Sequence, residues 1–152
     1  MKIALCQINA TVGDFENNCK KILSFYNNSV NANADIAVFP ELAITGYPPQ
    51  DLLLEQSFVE RNVQELEALT SVVDDVPLVV GYVQPNGNNL YNSAALLQNG
   101  EISGRYDKVL LPTYDVFDED RYFTAGENRS PLKAQIGKKT IFLGVEICED
   151  MW

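Results

Sequence analysis

Residues 35–39 read DIAVF. Four apolar residues in a row behind one acid are too few for a helix and suit a strand buried on both faces of a parallel sheet. What lies upstream decides how that strand is used. From Phe15 to Val30, the apolar positions 15, 19, 22, 23, 26 and 30 recur at helical spacing, and Asp14 stands where a helix cap belongs. Residues 2–8, KIALCQI, alternate well enough for a first strand. Strand, helix, strand in that order predicts a right-handed crossover and a parallel pair, so the class is α/β.

Downstream the signals change. Pro48-Pro49 stops any strand and Gln50 can begin a helix. Val59, Val63, Leu66, Leu69 and Val73 predict a second long helix over 58–73. PLVVGYV, 77–83, reads as the next strand, and 90–98 and 101–109 form two more, joined by Asn99-Gly100, a strong hairpin turn. Residues 109–131 show no period and predict a long ordered loop with a turn of helix near 118–123; loops of that length are usually functional. The chain closes as a hairpin of 132–136 and 140–148 around Gly137-Lys138-Lys139. The sheet is therefore mixed.

Composition narrows the chemistry. The 152 residues carry 21 acids against 11 bases, a net charge of -10, which repels nucleic acid and anionic membrane surfaces. No stretch is long enough to span a membrane. Gln7, Asn9 and Asp14 interrupt the first apolar run before a signal-peptide core forms. Three cysteines without paired spacing suit a reducing, cytoplasmic setting. There is no histidine, so Ser-His and Cys-His pairs and histidine metal sites are excluded within this chain, and no metal site is expected. Proton transfer falls to Glu, Asp, Lys, Tyr or Cys.

Polar residues just past strand ends are where open α/β sheets place their chemistry. Glu41 follows DIAVFP, Lys108 closes the strand of the second hairpin, and Cys148 ends the last predicted strand. Each alone reads as a surface charge or a small core residue. Together they complete a set for acyl transfer: a thiol nucleophile, a carboxylate base and an ammonium. Glu149 and Asp150 disfavour a thiolate. A lysine at about 4 Å, attracting by about 4 kcal/mol at an effective dielectric of 20, is expected to offset them.

FPELAITGYPPQDLLL, YDKVLLPTYDVFDEDRYF and VEICEDMW resemble the three catalytic blocks of the nitrilase, or carbon-nitrogen hydrolase, superfamily. TGYPPQDLLL, LPTYDVFDEDRYF and CEDMW are similar, more narrowly, to the glutaminase domains of glutamine-dependent NAD synthetases. The resemblance covers the whole chain, in family order, and implies an αββα sandwich. It implies that Cys148 attacks the side-chain amide of glutamine, that Glu41 moves the protons and that Lys108 holds the oxyanion, with no cofactor for this step. Tyr47 and Tyr114 match positions lining the glutamine pocket and ammonia exit, and Glu119 matches a second acid suited to the substrate's amino group. Another nitrilase-type amidase or carbamoylase, or a non-catalytic assembly module, would leave the same three residues.

The resemblance also implies that residues 1–152 are the N-terminal part of a longer domain, a partial glutamine amidotransferase unit. The rest of that polypeptide, with a synthetase domain that uses ATP and Mg to amidate nicotinic acid adenine dinucleotide, is absent. Efficient glutamine hydrolysis by this chain alone is not expected, and open apolar surface predicts homo-oligomeric association. Glu146 is a further expectation from the residues themselves: alternation of 142, 144, 146 and 148 along one strand places it on the side of Cys148, at least partly buried.

Overall fold

The computed structural model describes Met1–Trp152. Strand β1 is Ile3–Leu5, helix α1 Phe15–Asn31, β2 Ile36–Val38, α2 Gln56–Val72, β3 Leu78–Asn86, β4 Asn89–Gln98, β5 Glu101–Asp107, β6 Leu132–Ile136 and β7 Lys139–Leu143. Three 3₁₀ turns cover Gln50–Leu54, Glu119–Arg121 and Cys148–Met151. The first five strands form one sheet in chain order, parallel from β1 to β3 and antiparallel from β3 to β5. Strands β6 and β7 form a separate hairpin.

Alternation along the strands divides the core in two. Ala37, Leu78, Val80, Tyr82, Ala95 and Leu97 face the helices, meeting Cys19, Ile22 and Tyr26 of α1 and Leu66 and Leu69 of α2. Ile36, Val79, Ala94, Leu96 and Tyr106 face the other way, onto Leu132 and Ala134 of the hairpin and onto Ile147. The layers run helix, sheet, sheet. The buried Gln98 joins the sheets: its Nε2 donates to Gln135 O at 2.6 Å and its Oε1 accepts from Gln135 N at 3.0 Å. A Cβ on Gly104 would lie 3.2 Å from Leu132 Cδ2, so the bare backbone lets the hairpin settle closely.

Most predicted elements form where the spacing places them. Asp14 caps α1 by accepting from Asn17 N at 3.4 Å. Asn99 and Gly100 take φ of 54° and 75° in the β4–β5 turn, the left-handed pair that such a two-residue turn requires. One element is corrected. The last strand stops at Leu143, where Leu132 is the final partner, and residues 144–147 follow outside any ladder. Cys148 therefore starts a turn and does not end a strand.

Candidate active site

Glu41 is the first functional side chain that the fold places. The chain leaves β2, turns over β3 and buries Leu42 completely at a φ of 46°. Gly81 makes this turn possible, because a Cβ there would come within 2.5 Å of Pro40 O and 2.7 Å of the Glu41 carbonyl carbon. Asn18, wholly buried on α1, fastens the far side by donating to Thr11 O at 2.7 Å and Ile44 O at 3.1 Å. Glu41 is thus held by backbone on two sides.

Lys108 follows β5 directly and keeps its N–H on Asn92 O at 2.8 Å. Its side chain is 0% exposed, and Nζ contacts Glu41 Oε1 at 2.7 Å and Glu119 Oε2 at 2.8 Å. Glu119, on the short helical turn of the long loop, is buried and also accepts from Tyr47 OH at 2.8 Å. Asn92 Nδ2 donates to Glu41 Oε1 at 2.6 Å and reaches Glu119 Oε2 at 3.5 Å. The cluster holds two carboxylates and one ammonium, a formal charge of about -1.

The proton affinities follow from that arrangement. Burial pushes the Glu41 carboxyl above the usual carboxylate range, with Lys108 and Asn92 pulling against it. Burial alone would lower the Lys108 ammonium, but hydrogen bonds to Glu119 and Glu41 outweigh it and hold Lys108 above its ordinary value. Cys148 shares a cleft with Glu41, Gly81 and Ala94. Desolvation there, followed by the charge of Glu41, pushes its thiol up, and Lys108 opposes this without prevailing. Lys108 lowers the thiol by more than Glu149 raises it, as expected, but burial and the charge of Glu41, which the sequence does not show, are larger and hold the thiol above its ordinary value.

Cys148 sits at a φ of 48°, a strained conformation for a residue with a Cβ and one that recurs at functional turns. Asp150 holds this turn in place. Its Oδ1 accepts from Val109 N at 3.1 Å and Leu110 N at 2.8 Å, and its Oδ2 from Tyr106 OH at 2.7 Å and Ile147 N at 3.2 Å. Asp150 is 3% exposed, so it ties the cysteine turn to the lysine segment and does not stand as a free charge beside the thiol. Reading it from sequence as a second destabilising neighbour missed this, because only the fold brings four donors to it.

Other expected residues divide. Tyr47 props Glu119. Tyr114 is exposed, donates to Glu149 Oε2 at 2.8 Å and packs edge-on against Phe117 at 5.7 Å. Both oxygens of Glu119 are engaged within the cluster, by Lys108, Tyr47 and Asn92. Glu146 is exposed, which corrects the expectation of partial burial: it shares the outer face with Thr140, Phe142 and Gly144, while 141, 143, 145 and 147 carry the burial. Asn92, which no periodicity or motif singled out, is the added member. No three His, Cys, Asp or Glu side chains gather closely enough to hold a metal ion.

The carbon-nitrogen hydrolase family matches residues 2–152. The glutamine-dependent NAD(+) synthetase of Thermotoga maritima is 41% identical over 154 residues, covering 100% of this chain and 26% of that protein. The chain spans about a quarter of the length of the curated relatives it matches. Among solved structures, the glutamine-dependent NAD+ synthetase from Acinetobacter baumannii superposes with a TM-score of 0.87 at 36% identity, over 99% of this chain and 28% of the other. A variant of an amidase from Nesterenkonia sp. AN1, showing the result of Michael addition of acrylamide at the active site cysteine, superposes with a TM-score of 0.76 at 25% identity, over 93% and 56%.

Proposed function

The chain belongs to the carbon-nitrogen hydrolase family, and from that premise we propose that, as part of a longer polypeptide, it hydrolyses the side-chain amide of glutamine through Cys148, Glu41 and Lys108. The ammonia passes to an ATP- and Mg-dependent synthetase part of a longer polypeptide, which amidates nicotinic acid adenine dinucleotide to NAD. The observation that carries the reading is a fully buried Lys108 joined to Glu41 at 2.7 Å, beside a cleft that Glu41 shares with Cys148. The likeness to NAD synthetases over the whole chain supports glutamine as the amide and the synthetase as the partner.

The steps use these side chains alone. Glu41 takes the proton of the Cys148 thiol as sulfur attacks the amide carbonyl, which suits a thiol that rests protonated and a carboxylate of raised proton affinity. An ammonium has three donors and Lys108 Nζ lies within 2.9 Å of Glu41 Oε1 and both oxygens of Glu119; one Glu119 contact gives way as the oxyanion forms and meets Nζ, together with the backbone N–H of Glu149. Glu41 returns the proton to the leaving nitrogen and ammonia departs. Water, activated by the same carboxylate, attacks the thioester and releases glutamate. Glu119, propped by Tyr47, keeps Lys108 charged and aimed.

The resemblance to an amidase favours a second reading, hydrolysis of a different free amide by the same three residues. Mass spectrometry after treatment with a diazo-ketone analogue of glutamine separates the two. A mass increase confined to Cys148, prevented by excess glutamine, is the expected result. Labelling that unrelated amides block and glutamine does not would replace the glutaminase by the general amidase.

A further inference from the structure

The proton-accepting carboxylate has two unlike oxygens. Lys108 Nζ and Asn92 Nδ2 both bond to Oε1 of Glu41, at 2.7 and 2.6 Å, and Oε2 has no partner. Asn92 is 1% exposed and lies on β4 opposite Val83, on the sheet face that carries Gly81. Its amide also reaches Glu119 Oε2 at 3.5 Å. Turning both N–H groups toward carboxylates leaves Asn92 Oδ1 buried with no partner. An orphaned buried acceptor is unfavourable and uncommon outside functional sites. The opposite orientation would set Oδ1 against Oε1 of Glu41, oxygen on oxygen, so the amide is oriented for the carboxylates at its own expense.

We propose that Asn92 is a positioning residue for the proton transfer: its amide pins Oε1 of Glu41 beside Lys108, so that Oε2 is the oxygen presented to the Cys148 thiol. The inference rests on Glu41 being the base. A donor held on an ionised carboxylate favours the ionised form, so the same contact sets the pH at which Glu41 becomes able to accept the proton. The charged and titratable groups facing Glu41 are Lys108 after β5, Glu119 on the long loop with Tyr47 behind it, and Cys148 on the last turn. Asn92 is the one neutral side chain bonded to it.

The test follows alkylation of Cys148 by iodoacetamide across pH 4–9 (roughly the span of the carboxylate and thiol ionisations), read by intact mass. Cys6 and Cys19 are buried and Cys148 is the exposed thiol. The rate rises in a low-pH step as the Cys148–Glu41 pair loses its first proton, whichever of the two groups holds the remaining one. Asn92→Leu keeps the size and removes the donors, and Asn92→Ala does so with less crowding if the leucine variant fails to fold. In both, the low-pH step moves upward by about 1 pH unit, the loss of one hydrogen bond to a charged group. Just below the step, the rate falls about tenfold. Glu41→Gln abolishes the step. Asparagine variants that melt lower yet keep the parent's profile, while Glu41→Gln loses the step, would overturn the role of Asn92 alone. A profile unchanged by Glu41→Gln would remove the base assignment, and the inference with it.

Discussion

At Glu41, stability and chemistry pull in opposite directions. Burial holds its carboxyl above the usual range, so the folded chain binds that proton more tightly than the unfolded chain does. Such a group contributes stability fully below the unfolded value, and the contribution is lost as pH rises through the folded one. Glu41→Gln keeps the shape, ends the titration and leaves Lys108 with Glu119. We expect the variant to gain on the parent as pH rises from about 4.5 and to melt no lower than the parent at pH 7, while amide hydrolysis falls by ~100-fold or more. Thermal denaturation at pH 4 and pH 7 checks the sign; an equal deficit at both values would contradict it. At this scale the sequence singled out Glu41, Lys108 and Cys148 as candidates, because the absence of histidine left few other chemistries and the three motif blocks carry them, although Cys148 starts a turn where a strand end was expected. Asn92 and Asp150 were not legible. An Asn in a strand and an Asp near a turn read as surface residues until the fold brings partners to them from 51 and 41 residues away.

Among the elements, the Glu41 turn depends on a glycine it does not contain. Gly81 lies in β3 with ordinary strand geometry, and its role is to have no Cβ where Pro40 O and the Glu41 carbonyl lie. We expect Gly81→Ala to lift the turn, cost about 1–3 kcal/mol and move Glu41 out of reach of Lys108. Gly144→Ala, which meets nothing within 4 Å, is the matched control. Melting temperature and Cys148 labelling by the glutamine analogue report the two consequences; a Gly81→Ala chain that labels at the parent's rate would contradict the dependence. Strands and helices were legible from period because each carries many residues that agree. The close approach of a turn to one strand position has no period, so PLVVGYV reads as a strand without revealing why its glycine is there. The end of β7 was misread for a related reason: the alternation of 141–148 continues in burial, but the partner strand runs out at Leu132.

For the whole molecule, two surface properties compete. Ile3 and Leu5 extend the apolar face that β6 and β7 cover farther along, and they are 47% and 80% exposed. Phe142, on the outer side of the hairpin, is 69% exposed and Trp152 92%. Apolar groups of this size, next to strand edges without partners on β1 and β7, favour association. The net charge of -10 opposes it, since like-charged copies repel over roughly a Debye length, about 10 Å at 0.1 M salt and about 3 Å at 1 M. Raising the salt removes the repulsion and leaves the apolar attraction, which salt does not weaken. The mass seen by light scattering is therefore expected to climb above 16.9 kDa as sodium chloride is raised at fixed protein concentration, and Leu5→Lys with Phe142→Lys should hold it nearer the monomer. A mass of one chain at every salt concentration would mean that these side chains do not meet their counterparts, and that the uncovered face is not adhesive to itself.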